Sequence, residues 1–209
     1  MLEYYLRQIV LMAAPLLAAV TFHELAHGYV AYRLGDPTAK LAGRLTLNPI
    51  KHLDLMGTLV FIITRMIGWA KPVPVNPYNL RNPKRDMIWV SLAGPVTNLL
   101  LAVLSALLYR LIIVLPVQNP FFIKNVLVPM ALMLKLSVVL NIGLAVFNAI
   151  PIPPLDGSKI LMGILPPKQA LAYSRIEPYG FFIILALIFL RVVDYVIFPL
   201  IIFLKNLLI

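Results

Sequence analysis

Long apolar stretches set the limits on what this chain can fold into. One of them, from about Met87 to Leu115, carries no charged residue between Met87 and Tyr109. A helix needs roughly 20 apolar residues to cross a hydrocarbon core of about 30 Å. Apolar residues make up 61% of the chain and charged residues 12%, whereas soluble domains are about 45–50% apolar and about 25% charged. The sequence therefore predicts a membrane protein and excludes a soluble globular or a disordered one.

Four stretches are long enough to span a bilayer as helices. They run approximately over Leu6–Leu34, Met87–Leu115, Asn125–Ile150 and Tyr179–Leu204. In the fourth stretch, Arg191 and Asp194 lie one helical turn apart and could pair. A fifth stretch, Leu55–Trp69, is short and contains Arg65, so it either spans or forms a re-entrant or interfacial helix. We predict an all-α polytopic fold, a single membrane-embedded domain over residues 1–209, with four transmembrane helices and one re-entrant or short membrane-associated helix.

Charge distribution selects one topology. The chain has 18 Lys and Arg against 8 Asp and Glu. If Leu55–Trp69 does not cross, one side holds 12 basic residues and the other only Arg7, Lys124 and Lys205. Cytoplasmic loops collect Lys and Arg, so the basic side is predicted to be cytosolic. No basic run with interleaved aromatic residues is present, so no nucleic-acid partner is expected.

Two segments on the predicted cytosolic side alternate apolar and non-apolar residues, GRLTLNP at 43–49 and KPVPVNP at 71–77. Such alternation suits short β-strands, and proline confines the second segment to a sheet edge. We predict short β-strand loops here. One of these edges could pair with an unwound substrate by strand addition; a simple cytosolic hairpin is the alternative.

The first apolar stretch contains His23-Glu24-Leu25-Ala26-His27, an H-E-x-x-H pattern. Residues four positions apart share one face of a helix, so both imidazoles can reach one Zn²⁺, with Glu24 beside them as a general base. Ionisable groups inside a transmembrane helix cost at least about 2.5–3.5 kcal/mol each near its centre and are functional by default. The pattern therefore predicts a metalloprotease site at membrane depth.

A third protein ligand is needed, because a catalytic zinc usually has three protein ligands and an open position. The remaining histidine, His52, is one candidate, and the carboxylates are the others. Asp156 stands out because it follows the third apolar stretch, after prolines at 151, 153 and 154 that cannot continue a helix. Unwound backbone is tolerated at membrane depth where it lines a cavity or is buried in protein, and it can turn a carboxylate toward the metal.

The depth of these residues in the membrane favours the same topology. At 1.5 Å per residue, His23 and His27 lie roughly 10–17 Å from the end of the first helix. If Leu55–Trp69 does not cross, the third stretch returns to that side, and Asp156 arrives on the same face as the histidines. Asn98 lies roughly 18 Å along the second stretch, near the depth of the zinc. It is a candidate hydrogen-bond donor to the substrate or the oxyanion, and an asparagine that packs in a kinked helix is the alternative.

Together these residues resemble the site-2 protease family of intramembrane zinc metalloproteases. The matching strings are FHELAH at 22–27, AGPVTN at 93–98 and NAIPIPPLDG at 148–157. The compact size, without a PDZ or CBS module, and the strings at 43–49 and 71–77 resemble the minimal bacterial or archaeal branch. The resemblance covers at least residues 20–157.

The resemblance implies a zinc endopeptidase that cleaves transmembrane segments in regulated intramembrane proteolysis, using a metal-activated water and one Zn²⁺. The residues that it assigns to the site are the zinc ligands His23, His27 and Asp156, the catalytic base Glu24, and Asn98 and Asn148 for substrate binding or transition-state stabilisation. The expected partners are a transmembrane protein substrate and the lipid bilayer. The expected location is the prokaryotic plasma membrane, with the site toward the cytosol.

Two other functions stay open at this point. One is a proteolytically inactive relative that binds transmembrane segments, which the intact Glu24 argues against. The other is a metal-binding transporter. Transporters often contain internal repeats with broken helices in matching positions, and no such repeat is visible in the sequence.

Overall fold

The fold is built mainly from helices. A computed structural model describes residues 2–64 and 68–209. The α-helices in these ranges are α1 (Leu2–Arg33), α2 (Thr38–Leu41), α3 (Leu55–Thr64), α4 (Pro83–Ile113), α5 (Pro120–Phe122), α6 (Val128–Asn148), α7 (Asp156–Ile164), α8 (Pro167–Ser174), α9 (Gly180–Phe189) and α10 (Val192–Leu208). A π-helical stretch, Ile123–Leu127, joins α5 to α6, and short 3-10 turns cover Pro49–His52, Pro77–Asn79 and Glu177–Tyr179.

Four helical stretches of the described chain are long and apolar enough to cross a membrane, as predicted. They are Val10–Arg33, Pro83–Ile113, Pro120–Asn148 and Pro167–Phe189. The first three agree closely with the sequence-based boundaries. The fourth stretch begins and ends earlier in the sequence than the predicted stretch of about Tyr179–Leu204.

The fourth predicted span is broken at Arg191. This residue adopts a left-handed conformation, with φ of 56°, which stops a right-handed helix. The chain therefore forms two helices, α9 and α10, where the hydropathy pattern predicts one. Asp194 donates its backbone N–H to the Arg191 carbonyl at 3.0 Å, but the described residues show no ion pair between the two side chains. The predicted side-chain pairing is absent from this structure.

The core of the bundle lies where α1, α4 and α6 pack against one another. Its buried centre between α4 and α6 consists of Ala102, Ala106, Val138 and Ile142. Small residues let helix backbones approach closely, which is how helices associate in lipid. Helix α10 covers this centre with partly buried apolar side chains. Apolar packing thereby holds α4, α6 and α10 together.

The short fifth stretch forms α3, a helix of ten residues and so about 15 Å long. That is half of the hydrocarbon thickness of about 30 Å. The ends of the stretch lie side by side, because Leu53 and Ala70 form an antiparallel bridge and Lys71 donates its N–H to the His52 carbonyl at 2.9 Å. Arg65, which the charge count placed on the basic side, lies outside the described residues.

The predicted β-strands are not formed at either segment. Residues 43–49 and 71–77 contain no strand, and the β-bridge between Leu53 and Ala70 is isolated. Three prolines in 71–77, at positions 72, 74 and 77, lack the N–H that a ladder needs. The Lys71 carbonyl accepts a hydrogen bond from Arg44 Nη2 at 2.6 Å. Side-chain and loop contacts take up backbone groups that a strand ladder would use.

Candidate metal centre

Three side chains predicted as ligands meet at one point. His23 Nε2 and His27 Nε2 lie 3.2 and 3.1 Å from Asp156 Oδ2, and 3.0 Å from each other. All three residues are buried, with 6–8% of their surface exposed. The ligand atoms lie within 4.8 Å of one another. The structure thus brings together both histidines of the H-E-x-x-H pattern and the aspartate 129 residues after His27 in the sequence.

The two histidines share one face of α1 because they are four residues apart. Helix α4 reaches this face at Gly94. A Cβ atom on Gly94 would lie 2.4 Å from His27 Nε2 and 2.5 Å from His23 Cε1, which is closer than real Cβ contacts allow. Only a glycine therefore lets α4 pack directly over both rings.

The second nitrogen of each imidazole has an oxygen partner. His23 Nδ1 lies 2.6 Å from Asn98 Oδ1, and His27 Nδ1 lies 2.6 Å from the Val90 carbonyl. Oxygen acceptors at both positions assign the proton of each neutral ring to Nδ1, so Nε2 carries the lone pair. Both metal-binding lone pairs thus face Asp156.

Asp156 reaches the histidines because α6 ends at Asn148. The chain then passes Pro151, Pro153 and Pro154, and a new helix starts at Asp156. Gly157 permits the sharp return, since a Cβ on it would lie 2.3 Å from the Ala149 carbonyl oxygen. The proline-rich segment therefore turns the carboxylate back toward the bundle, as predicted.

The donor set fits a zinc ion. Asp156 Oδ2 is buried without a hydrogen-bond donor in the described structure, and it faces two lone-pair nitrogens at 3.1–3.2 Å. Three acceptors at that separation repel one another unless a cation lies among them. At Zn–ligand distances of about 2.0–2.2 Å, tetrahedral geometry separates the ligand atoms by about 3.3–3.6 Å. Two imidazoles and a carboxylate are also common zinc ligands.

Glu24 lies next to the ligand cluster in sequence but contacts a different partner. Its Oε2 accepts a hydrogen bond from the Val73 backbone N–H at 2.7 Å. The residue is half-buried. The extended segment that follows α3 and contains Val73 thus contacts the predicted catalytic base.

Asn98 lies beside the site, as predicted, but its contacts point inward. It is fully buried, and its Nδ2 donates to the Ala19 carbonyl at 3.2 Å and to Asn141 Oδ1 at 2.8 Å. Both of its N–H bonds are therefore used within the protein, and its oxygen faces His23. This arrangement orients a histidine and leaves no hydrogen for a substrate.

The other two sequence candidates have hydrogen-bond partners outside the three-ligand cluster. Asn148 ends α6, and its Nδ2 donates to the Leu144 carbonyl at 3.0 Å. His52 is fully buried, and its Nε2 lies 2.8 Å from the Thr46 carbonyl. No contact between either residue and a ligand side chain is found in the described ranges. His52 therefore stabilises its own loop in this structure.

Sequence reasoning missed Asn141 and the Val90 carbonyl. Asn141 is buried on α6, and its Nδ2 donates to the Ser137 carbonyl at 2.9 Å, which leaves its Oδ1 for Asn98. An amide in an apolar span is itself a signal, because a polar group there needs a partner. No side-chain pattern could indicate the Val90 carbonyl, since any residue supplies one.

Comparisons with known proteins find relatives named as metalloproteases. A family model described as "Peptidase family M50" matches residues 114–191. "Putative zinc metalloprotease YwhC" of Bacillus subtilis is 38% identical over 198 residues, 95% of this chain and 89% of that protein. "Putative zinc metalloprotease Rip2" of Mycolicibacterium smegmatis is 30% identical over 188 residues, 88% and 68% of the two chains. "Zinc metalloprotease MJ0392" of Methanocaldococcus jannaschii is 29% identical over 154 residues, 73% of this chain and 34% of that protein. No solved structure gives a significant match.

Proposed function

This chain belongs to peptidase family M50, the site-2 protease family, and from that membership we propose that it is an intramembrane zinc metalloendopeptidase. Its substrates are transmembrane segments of other proteins. The observation that carries the proposal is the convergence of two imidazoles and one carboxylate, all buried, on a single point between apolar helices. We propose that residues 1–209 act as one membrane-embedded protease domain.

His23, His27 and Asp156 would hold the zinc ion. When bound, zinc acts as a Lewis acid that polarises the scissile carbonyl and lowers the pKa of water. Glu24 takes the proton of the attacking water and delivers it to the leaving amine. Asn98 and the Val90 carbonyl keep the two rings in the tautomer that presents Nε2 to the metal, and such partners also fix ring orientation.

The site faces the cytosol in the proposed topology. The ends of the α3 segment pair at Leu53 and Ala70, so the segment leaves and re-enters on one side. The basic residues of 33–86 then lie together on the cytosolic side, in a multi-pass protein of the prokaryotic plasma membrane. Asp156 follows α6 back to that side.

A substrate helix must unwind before its backbone can be cut, and an exposed protein edge can hold the unwound strand. Of the two predicted edges, 71–77 is the poorer donor, because Pro72 and Pro74 have no N–H and the N–H of Val73 is bonded to Glu24. We therefore propose residues 43–49, where Leu47 is exposed, as the pairing segment. Proline insertion at Thr46 or Leu47 should slow cleavage, and unchanged cleavage would count against it.

The direct test of the activity uses purified protein in detergent and a model single-span substrate. We expect cleavage that a zinc chelator abolishes and that added zinc restores. Glu24→Gln should keep stoichiometric zinc and lose turnover, because the amide cannot accept the proton. Chelator-insensitive cleavage, or appreciable proteolysis by purified Glu24→Gln, would contradict the proposed mechanism. Zinc binding without cleavage would favour the inactive relative.

A further inference from the structure

The contact between Glu24 and Val73 belongs to a segment built to hold it. We define the strap as residues 71–76, the extended connection that follows α3 and the bridge at Ala70. The strap passes over α1 beside the H-E-x-x-H turn.

The strap is fastened at both ends. At its start, Lys71 donates its N–H to the His52 carbonyl at 2.9 Å, and its carbonyl accepts from Arg44 Nη2 at 2.6 Å. At its end, Asn76 donates its N–H to Asp36 Oδ2 at 2.7 Å. All three partners, His52, Arg44 and Asp36, are themselves buried. The residues between the two ends therefore have little freedom to leave the surface of α1.

The middle of the strap rests on α1 one turn beyond Glu24. Val73 is 8% exposed, and a Cβ on Gly28 would lie 3.0 Å from Val73 Cγ1. Because Gly28 has no side chain, Val73 can pack directly against α1 at this point. This packing places the Val73 backbone beside the Glu24 carboxylate.

The composition of the strap leaves one N–H group at this point. Residues 72–74 are Pro-Val-Pro, and proline has no backbone N–H. The one N–H in this tripeptide donates to Glu24 Oε2 at 2.7 Å. A hydrogen bond to a carboxylate is stronger than one between neutral groups. No hydrogen bond to Glu24 Oε1 is found among the described residues, so that oxygen is left for proton transfer.

We infer that the backbone amide of Val73 is a positioning group that fixes the Glu24 carboxylate for its role as general base. The inference rests on the proposed proteolytic function. It assigns a role in catalysis to the Pro-Val-Pro sequence: the prolines stiffen the strap and remove competing donors, and Val73 supplies one bond. Catalysis requires such positioning, because a misplacement of about 1 Å can cost about 100-fold in rate.

Replacement of one backbone amide by an ester tests the inference without changing a side chain. Incorporation of the α-hydroxy analogue of valine at position 73 removes the N–H that bonds to Glu24. We expect kcat to fall about 10- to 100-fold, with KM, zinc content and melting temperature unchanged. The matched control is the same ester at Val75, which also follows a proline and whose N–H has no hydrogen-bond partner among the described residues. This control should keep its kcat.

A second measurement follows the bond itself in zinc-free protein. Labelling proline carbonyls with ¹³C and valine nitrogens with ¹⁵N selects four Pro-Val amides, those of Val73, Val75, Val96 and Val117. The Val73 amide proton should resonate downfield, as expected for a carboxylate acceptor. It should move upfield in Glu24→Gln and further in Glu24→Ala, while the Val117 signal stays fixed.

The outcomes separate this inference from the proposed function. If wild-type protein cleaves the substrate and the Val73 ester has an unchanged kcat, the inference is wrong and the protease assignment stands. An equal fall in kcat with the Val75 ester would show that any ester in the strap slows catalysis, and it would also overturn the inference. If wild-type protein does not cleave at all, the proposed function fails. An unmoved Val73 amide signal in both Glu24 variants then rejects the bond independently.

Discussion

The nitrogen that carries the proton decides whether each histidine can bind a metal. In this site the choice is made by oxygen atoms behind the rings, Asn98 Oδ1 and the Val90 carbonyl. Asn98 is itself oriented by donating to Asn141 and to the Ala19 carbonyl. A chain of amides on three helices therefore sets the direction of one metal-binding lone pair.

Asn98→Leu removes the oxygen that orients His23. Loss of such a partner typically weakens metal binding 10- to 100-fold, and we expect a zinc dissociation constant higher by about that factor, measured by competition with a chelator. Ser105→Ala is the matched control, because it removes a partly buried α4–α6 hydrogen bond of 2.8 Å and no atom that contacts a histidine. Equal zinc affinities for both variants would argue against the orienting role.

A second prediction concerns the close approach of α4 to the rings. Gly94→Ala places a methyl group within 2.4 Å of His27 Nε2, so it should displace the ring and lower zinc affinity at least about tenfold. Gly143→Ala is the control, because the nearest atom to its Cβ is Ile201 Cδ1 at 3.8 Å and alanine is the better helix former. Retained zinc affinity in Gly94→Ala would show that α4 shifts to make room.

At the residue scale, the sequence predicted which three side chains come together. The spacing of His23 and His27 requires only a helix, and the prolines before Asp156 require a break, so both could be inferred from the residues. The contact of Asn98 with His23 could not be inferred, because an estimate of depth does not show whether an amide faces a cavity or an imidazole ring. The bond between Glu24 and Val73 likewise depends on tertiary packing.

At the scale of elements, hydropathy predicted helices α1, α4 and α6. It failed where the backbone conformation of single residues determines whether a helix continues. The break at Arg191 depends on one left-handed residue, which hydropathy does not register; two charges inside an apolar stretch were the available hint. The loop segments 43–49 and 71–77 alternate like strands, but side-chain contacts hold them in place. Alternation predicts which residues face a surface and leaves hydrogen-bond partners undetermined.

Asp36 joins the end of α1 to the strap and to the following turn. It is fully buried and accepts hydrogen bonds from the side chains of Thr38 and Asn79 and from the Asn76 N–H. Burial opposes ionisation, but these hydrogen bonds outweigh it and hold the pKa of Asp36 below its ordinary value. The carboxylate form is thus favoured in the folded protein.

Asp36→Asn should lower the free energy of unfolding by about 1–3 kcal/mol at neutral pH, because it replaces the buried carboxylate that accepts these hydrogen bonds by a neutral amide. A lowered folded-state pKa adds stability above the ordinary value of about 3.9, and this stability is lost as pH falls through the lowered value. The difference in melting temperature between wild type and Asp36→Asn should therefore shrink below about pH 4. A melting-temperature difference that stays constant down to pH 3 would contradict a role for the charge of Asp36.

At the scale of the whole molecule, one question about topology decides whether the site can assemble. If α3 and the residues after it crossed the bilayer, α4 and α6 would reverse direction, and Asp156 would emerge on the face opposite the histidines. The pairing of Leu53 with Ala70 and the basic charge of the connections agree with a segment that returns. Charge bias predicts a returning segment from the sequence because it sums over many residues, whereas the shape of α3 depends on local contacts.

Single-cysteine labelling tests this topology, since the natural chain has no cysteine. Leu41→Cys precedes α3 and Tyr78→Cys follows it, and both positions are exposed. We expect a membrane-impermeant maleimide to label both from the cytosolic side and Val114→Cys from the other side. Labelling of Leu41→Cys and Tyr78→Cys from opposite sides would show that the segment spans.

Zinc K-edge absorption spectroscopy of the purified protein tests the central claim most directly. We expect one zinc per chain with nitrogen and oxygen ligands at about 2.0–2.2 Å, two of them imidazoles, and an unchanged spectrum for His52→Ala. The chain has three histidines, so the imidazole count identifies the ligand set. A protein without zinc, or a spectrum that loses an imidazole in His52→Ala, would contradict a site made of His23, His27 and Asp156.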